Sequence, residues 1–233
     1  MKNLILALRL SERIYDDKLW IPRKRGGNGP SDKTYETTTK ELNRVMSKYE
    51  INTCLRKIHF LSQVYHETDR FYSSQEYDND STEFYDPYRG RGILHLTKLD
   101  KYENFSLDMK DKEILSNPNI LSTNISYIFE SGAWFWKKGK NVDARGSTWT
   151  YPKIADEKTN KLIMEEIHTV AKNKVSYGES RERTAIDINE LADHDSISTI
   201  NWLVNGGNYG FNERIKYRNK LKELMNYDTC KEQ

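Results

Sequence analysis

The sequence predicts a mainly α-helical fold of the α+β kind, with a small loop or β-hairpin as its main irregular feature, on three observations. Leu55, Ile58, Leu61 and Tyr65 recur at three- and four-residue steps, the period of a helix that buries one face. Ile197, Ile200 and Val204 repeat that pattern and stop at Gly206-Gly207, a helix terminator. Between the two, Ser73-Ser74 and Asp78-Asn79-Asp80-Ser81 supply the polar, helix-breaking chemistry of a loop or short hairpin.

Taken in order, residues 4–19 read as a first, amphipathic helix, and the basic, glycine-rich segment 23–32 as a connector. A phosphate-cradling loop would need a preceding strand and a Gly-Lys-Ser/Thr ending, and neither is present. Thr38 and Glu41 read as a capping box ahead of Leu42, Val45, Met46 and Tyr49, which predict a second helix. Asn52 or Thr53 caps the central helix, and Leu94 to Thr97 reads as a short extended piece. Asn117-Pro118 opens a segment that climbs to a helix containing Ile128, Phe129, Ala133, Trp134 and Trp136, assigned to the core because such aromatic-rich helices are mostly buried. Asn212 is the expected cap of a last helix whose Tyr217, Leu221, Leu224 and Met225 return to the core, and Lys231-Glu232-Gln233 reads as a tail.

Composition limits the function classes. Thirty-seven basic and 35 acidic residues leave a net charge of +2, which gives no argument for nucleic acid. No apolar run reaches transmembrane length, and Arg9 with Ser11-Glu12-Arg13 interrupts what would otherwise imitate a signal peptide after Met1. Cys54 and Cys230 alone do not indicate a disulfide framework. No metal site is expected: a zinc helix beginning at His66-Glu67 would need its second histidine where Arg70 stands. No cofactor is implied.

Two glutamates are the candidate catalytic pair. Glu67 shares a helix line with Phe60, Val64 and Phe71, and apolar neighbours raise a carboxyl pKa. An unbroken helix would hold the backbones of Glu67 and Glu76 about 13 Å apart, too far for most two-carboxylate mechanisms, so the chain has to turn between them. A proton-bearing acid facing an ionised carboxylate is the arrangement that cleaves glycosidic bonds. On spacing alone, Glu76 reads rather as one more solvated acid beside Asp78, Asp80 and Glu83 than as a catalytic group.

Phe60 to Phe71 (FLSQVYHETDRF), Tyr88 to Thr97 (YRGRGILHLT), Ala133 to Trp136 (AWFW) and Val204 to Gly207 (VNGG) together resemble the family-nineteen glycoside hydrolases, the chitinases and phage-type endolysins of the lysozyme-like superfamily. The resemblance covers about residues 40–136 and 190–226. It implies a lysozyme-like fold of two helical lobes flanking a cleft. By this resemblance Glu67, after His66, is the general acid; Glu76 is the general base on a water; Thr97 helps hold that water; and Asn205 faces substrate. Arg214 matches the arginine that braces the acidic centre, and His95 and Tyr102 stand among the substrate-facing positions. Arg91, between Gly90 and Gly92, is expected either to hold the catalytic loop by pairing with a carboxylate or to be merely solvated.

The departures are His95, where the family usually has glutamine, and Lys101, where a polar residue usually precedes Tyr102. Both bring a cation or a titrating group near the cleft, and imply altered substrate preference or pH response. The third is length: the family passes quickly from the aromatic helix to the stretch before Asn-Gly-Gly, whereas about fifty residues intervene here. Residues 1–233 are therefore read as one catalytic domain with a structured insertion at about 137–187. Ile163, Ile167 and Val170 give the insertion a helix, between the charged flanks 137–140 and 180–183. It reads as a lid or wall-recognition lobe, or as a solvated appendage.

The implied activity is that of an inverting endo-glycosidase on the β-1,4-linked amino-sugar backbone of peptidoglycan, as in a phage lysin or a secreted antibacterial effector. The short loop between the glutamates favours the endolysin branch. Chitin is the second substrate, and a non-catalytic wall- or oligosaccharide-binding module is the rival reading. The expected partner is the polysaccharide, with room for an inhibitor or immunity protein; a monomer without membrane insertion is expected. With no Sec signal evident, the chain is expected to be made in the cytoplasm and to reach the wall or periplasm by lysis or a dedicated secretion system.

Overall fold

A computed structural model describes residues 1–79, 82–142, 157–170, 173–177, 181–207 and 209–230. The chain runs α1 (Lys2–Ser11), α2 (Tyr35–Lys48), α3 (Cys54–Glu67), a 3₁₀ turn (Thr82–Tyr85), α4 (Leu99–Met109), α5 (Glu113–Ser116), α6 (Ile120–Thr123) and α7 (Ile125–Trp134). A π-turn (Phe135–Gly139) leads into β1 (Lys140–Val142), followed by α8 (Glu157–Val170), β2 (Asn173–Tyr177) and β3 (Arg181–Ile186). The chain finishes with α9 (Ile188–Asp193), α10 (Ile197–Asn205), α11 (Phe211–Leu224) and α12 (Tyr227–Cys230). The mainly helical α+β prediction holds.

α3 is the axis of the core. Ile58, Phe60, Leu61, Val64 and Tyr65 are all buried, and so are the polar His59, Ser62 and Gln63 between them, so the helix is enclosed on more than one face. Phe60 meets Trp136 edge-on at 5.2 Å and Tyr65 meets Tyr217 of α11 at 4.7 Å, so α3 is clamped between the aromatic helix end and the last long helix. Truncating Phe60 to alanine would cost about 3–5 kcal/mol. Thr53 caps α3, its side chain accepting from the Arg56 amide.

Several boundaries differ from those expected. The first helix stops at Ser11, because Arg13 takes a left-handed φ of 58° and the following segment brings Trp20 into the core, its indole N–H donating to Thr38 Oγ1 at 2.8 Å. Thr38 is thus buried inside α2, and the cap is Thr34, which accepts from the Thr37 amide. Gly210, with φ +67°, precedes α11 in place of Asn212, which lies within the helix. Leu94 to Thr97 is not an extended strand: it leaves a turn that the bridge of Arg91 with Leu96 closes.

The three-stranded antiparallel sheet, ordered β1-β3-β2, belongs to the insertion and does not carry Glu76. α8 buries Ile163, Ile167 and Val170, and its Glu166 accepts from Ser196 Oγ at 2.8 Å and from Thr199 Oγ1, so the insertion's helix is docked on α10. Part of the 180–183 flank and the 231–233 tail lie outside the described residues.

The absence of a disulfide framework is corrected. Cys54 and Cys230 are bridged, with Cα atoms 6.0 Å apart, tying α12 to the start of α3. Two cysteines separated by 176 positions carry no spacing signal, so only the fold shows that they meet.

Candidate active site

Glu67 is the last residue of α3, with 14% of its side chain exposed. Gln63 stands one turn earlier on the same face, and the fully buried Arg214 of α11 donates to both, through Nη2 to Glu67 Oε1 and through Nη1 to Gln63 Oε1. The other oxygen, Oε2, lies 3.2 Å from Nδ1 of His95. Burial pushes the Glu67 carboxyl up, as the apolar helix line implied, but Arg214 and His95 outweigh it and hold the group well below the usual carboxylate range. The expectation of a raised pKa is therefore reversed. Its cause is a guanidinium that arrives from 147 residues away.

The turn that brings Glu76 back begins earlier than the polar cluster suggested. Asp69, Arg70 and Phe71 all adopt left-handed φ, at 46°, 66° and 65°. Each such non-glycine residue costs about 1–3 kcal/mol. Thr68 holds them: its Oγ1 donates to the Val64 carbonyl and accepts from the Phe71 amide at 3.0 Å, while the Trp20 amide donates to the Phe71 carbonyl at 2.7 Å. The following strip is fixed from three sides. The Ser74 amide donates to the Asn28 carbonyl at 2.9 Å, Gln75 Nε2 to the Gly26 carbonyl at 2.6 Å, and the Glu76 amide to the Gly90 carbonyl at 2.9 Å. The segment read as a connector is thus a buttress of the Glu76 loop, and a Cβ on Gly26 would meet the Asp78 amide nitrogen at 2.6 Å.

Gly90 is the meeting point. A Cβ at this position would stand 2.9 Å from His95 Cβ, 3.0 Å from Glu76 Oε2 and 3.2 Å from Thr97 Oγ1. A continuous run of contacts therefore leads from Glu67 through His95 and Gly90 to Glu76, with the two carboxylates separated by one imidazole and one glycine. Thr97 donates its hydroxyl proton to the His95 carbonyl at 2.6 Å, which leaves its lone pairs to accept. Asn79 Nδ2 lies 3.5 Å from Glu76 Oε1.

The remaining candidates are distributed as follows. Arg91 is buried and pairs with no carboxylate among the described residues: it donates to Gln75 Oε1 at 2.9 Å, the Pro87 carbonyl at 2.7 Å, Tyr102 Oη at 3.2 Å and Asn119 Oδ1 at 2.9 Å. It holds the Glu76 loop through neutral acceptors. Tyr102 does not face a cleft, because the first turn of α4 points it inward, where it is fully buried and its hydroxyl donates to the Arg89 carbonyl at 2.8 Å. It is a positioning residue beneath Arg91. His66 is half-buried beside the start of α11, where a Cβ on Gly210 would overlap its ring; burial and the Arg214 charge lower its pKa to about 4, so it is neutral. Asn205 closes α10 at the left-handed Gly206 and is half-buried, joined to the carboxylates by none of these contacts. Gln63 carries no role in the sequence reading, although it lies one helical turn before Glu67 and its spacing points to it; Gly90 permits close backbone approach, and the neighbours it meets are His95, Glu76 and Thr97.

The architecture is the lysozyme-like fold of the family-nineteen chitinases. The chain is similar to the crystal structure of chitinase C from Streptomyces griseus HUT6037, with 16% identity over 85% of this chain and 87% of that one and a TM-score of 0.53. A mutant of chitinase C matches with the same figures. A bacterial family 19 chitinase is similar with 19% identity over 84% and 88% of the two chains and a TM-score of 0.48. No family model matches the sequence, and no curated protein matches it.

Proposed function

We propose that this chain is an inverting endo-glycosidase that cleaves a β-1,4-linked polymer of N-acetylated amino sugars, with peptidoglycan as its substrate. The observation that supports the reading is that His95 neighbours both Glu67 and Gly90, and Gly90 in turn neighbours Glu76 and Thr97. Glu67, enclosed at the helix end, is the general acid to the leaving glycosidic oxygen. Glu76 is the general base, taking a proton from a water that also donates to Thr97 Oγ1. In the free chain Glu67 is ionised by Arg214 and His95. A sugar seated against His95 breaks the contact to Oε2 and deepens the enclosure, and both changes move the carboxyl toward its protonated form.

Asn205 contributes from the end of α10 by hydrogen bonding substrate. Arg214 and Arg91 position the two carboxylates. The Cys54–Cys230 bridge supports a place of work outside the reducing cytosol, at the wall or periplasm. The second substrate is chitin, favoured by the names of the structures that share the fold.

Reducing-end release from purified peptidoglycan and from soluble chitin oligomers, by wild type, Glu67→Gln and Glu76→Gln, tests the reading. Wild type is expected to cleave peptidoglycan and each variant to fall by about 10²–10⁴-fold. Cleavage of chitin alone selects the second substrate, and wild type no faster than both variants overturns the proposal.

A further inference from the structure

Lys98 and Lys101 stand together at the start of α4, the Lys101 amide donating to the Lys98 carbonyl at 3.2 Å, and Lys140 lies near enough for both charges to act on it. Lys98 follows Thr97 directly and holds φ 78° and ψ 148°, a backbone state that glycine adopts freely and other residues at a cost of about 1–3 kcal/mol. Its amide donates to the Tyr88 carbonyl at 2.8 Å, and its Nζ stands 5.7 Å from the Tyr85 ring. Lys101 lies in the first turn of α4, 20% exposed, with Asp100 Oδ2 3.2 Å from its Nζ. Lys140, at the start of β1, sets its Nζ 5.7 Å from the Trp202 ring. Burial and then the charges of Lys101 and Lys98 lower the Lys140 pKa to about 8. Neither Lys98 nor Lys140 forms an ion pair among the described residues.

Two of the candidate site residues neighbour this trio along the chain. Lys98 directly follows Thr97, while Trp202 is three residues before Asn205 on α10 and shares its helix face. Lys98 and Lys101 also sit at the positive end of the α4 dipole, where no side chain caps the helix and an anion is preferred to a cation. A buried charge costs free energy unless it is paired, and among the described residues the acid that pairs with this trio is Asp100, 48% exposed, against Lys101. The other basic depression, around Arg13, Arg23, Arg70 and Lys216, differs in that Glu12 already pairs with Arg70 and Lys216.

We infer that Lys98, Lys101 and Lys140, with Trp202 beside Lys140, form a specificity subsite for a carboxylate of the peptide borne by the lactyl ether of the amino-sugar chain, so that the missing counter-charge comes from substrate. This rests on the glycosidase reading above. A neutral amino-sugar polymer would leave Lys98 and Lys140 unpaired, whereas a muramyl peptide supplies the acid.

Titration calorimetry on the full chain decides it, with two probes: N-acetylglucosaminyl-N-acetylmuramyl tetrapeptide, and the same unit with its carboxyls amidated. The native unit is expected to bind about tenfold or more tightly than the amidated one at low salt, with the ratio collapsing toward one at high salt. The ratio also collapses in Lys140→Gln and in Lys98→Gln. Lys98 is exposed, so the second variant carries the test if the first does not fold. Equal binding of the two probes, no detectable binding of the native unit, or an unchanged ratio in the folded variants overturns the inference. Failure of the glycosidase reading shows separately, as no reducing-end release from wall, which this titration does not use.

Discussion

Nδ1 of His95 lies 3.2 Å from Glu67 Oε2 while Arg214 occupies the carboxylate's other oxygen, so the candidate acid is gripped from both sides by groups that favour its charge. His95 stands where the resemblance expects a neutral glutamine, and its backbone takes a left-handed φ of 47° to reach that position. The grip sets the pH behaviour.

Glu67 has its carboxyl depressed, and a general acid works only when protonated, so kcat/KM is expected to rise as pH falls from neutrality toward the acid range. In His95→Gln one of the two causes of the depression is gone, and the rising limb should move to higher pH. A kcat/KM profile measured for both proteins checks this. A limb in the same place for both would assign the depression to Arg214 alone.

The same ion pair has a stability consequence of fixed sign. A carboxyl depressed by folding contributes stability above its unfolded value near 4.3 and loses that contribution as pH falls toward the folded value. Thermal unfolding of wild type should therefore weaken below about pH 4, and Glu67→Gln should show a smaller loss over the same range. Parallel acid losses in the two proteins would contradict the assignment.

Gly90→Ala should abolish most activity while leaving the fold intact. The added methyl would stand 3.0 Å from Glu76 Oε2 and 2.9 Å from His95 Cβ, in the space that the proposed mechanism gives to the attacking water. The expected fall in kcat is 10²-fold or more, read against an unchanged circular dichroism spectrum. Full activity in this variant would show that this space lies elsewhere.

Arg91→Ala removes five hydrogen-bonded contacts from beneath the Glu76 loop and leaves buried acceptors unpaired. The expected destabilisation is about 3–5 kcal/mol, measured by urea unfolding. A loss under about 1 kcal/mol would mean that the loop stands without it.

Reducing the Cys54–Cys230 bond releases α12 from α3 and should cost about 2–5 kcal/mol, seen as a fall in Tm in the presence of dithiothreitol and in Cys230→Ser. An unchanged Tm would mean that the unfolded chain gains nothing from the cross-link.

Helix periodicity made α3 and α10 legible, since Ile58, Leu61, Ile200 and the Gly206 stop report burial and termination locally. The resemblance supplied the candidate carboxylates. What the sequence could not carry is whatever depends on partners distant along the chain. The charge state of Glu67 is set by Arg214 and His95, neither visible from the apolar line of its own helix. The reversal runs on from Asp69 through Arg70 and Phe71, which carry no turn signature, because Thr68 and Trp20 hold it from outside. Tyr102 fell on the expected position but faces inward, since a motif fixes the order of residues and not their direction. The Gly26 buttress was read as a connector because glycine composition alone does not say what approaches it.

Proton NMR of the first products from a soluble β-linked amino-sugar oligomer tests the central claim, two carboxylates acting across one water. The account predicts that the α-anomer forms first and then mutarotates, the outcome of a single displacement with Glu76 as base. A β-anomer formed first would mean a covalent or substrate-assisted route, and would contradict the roles given to Glu67 and Glu76.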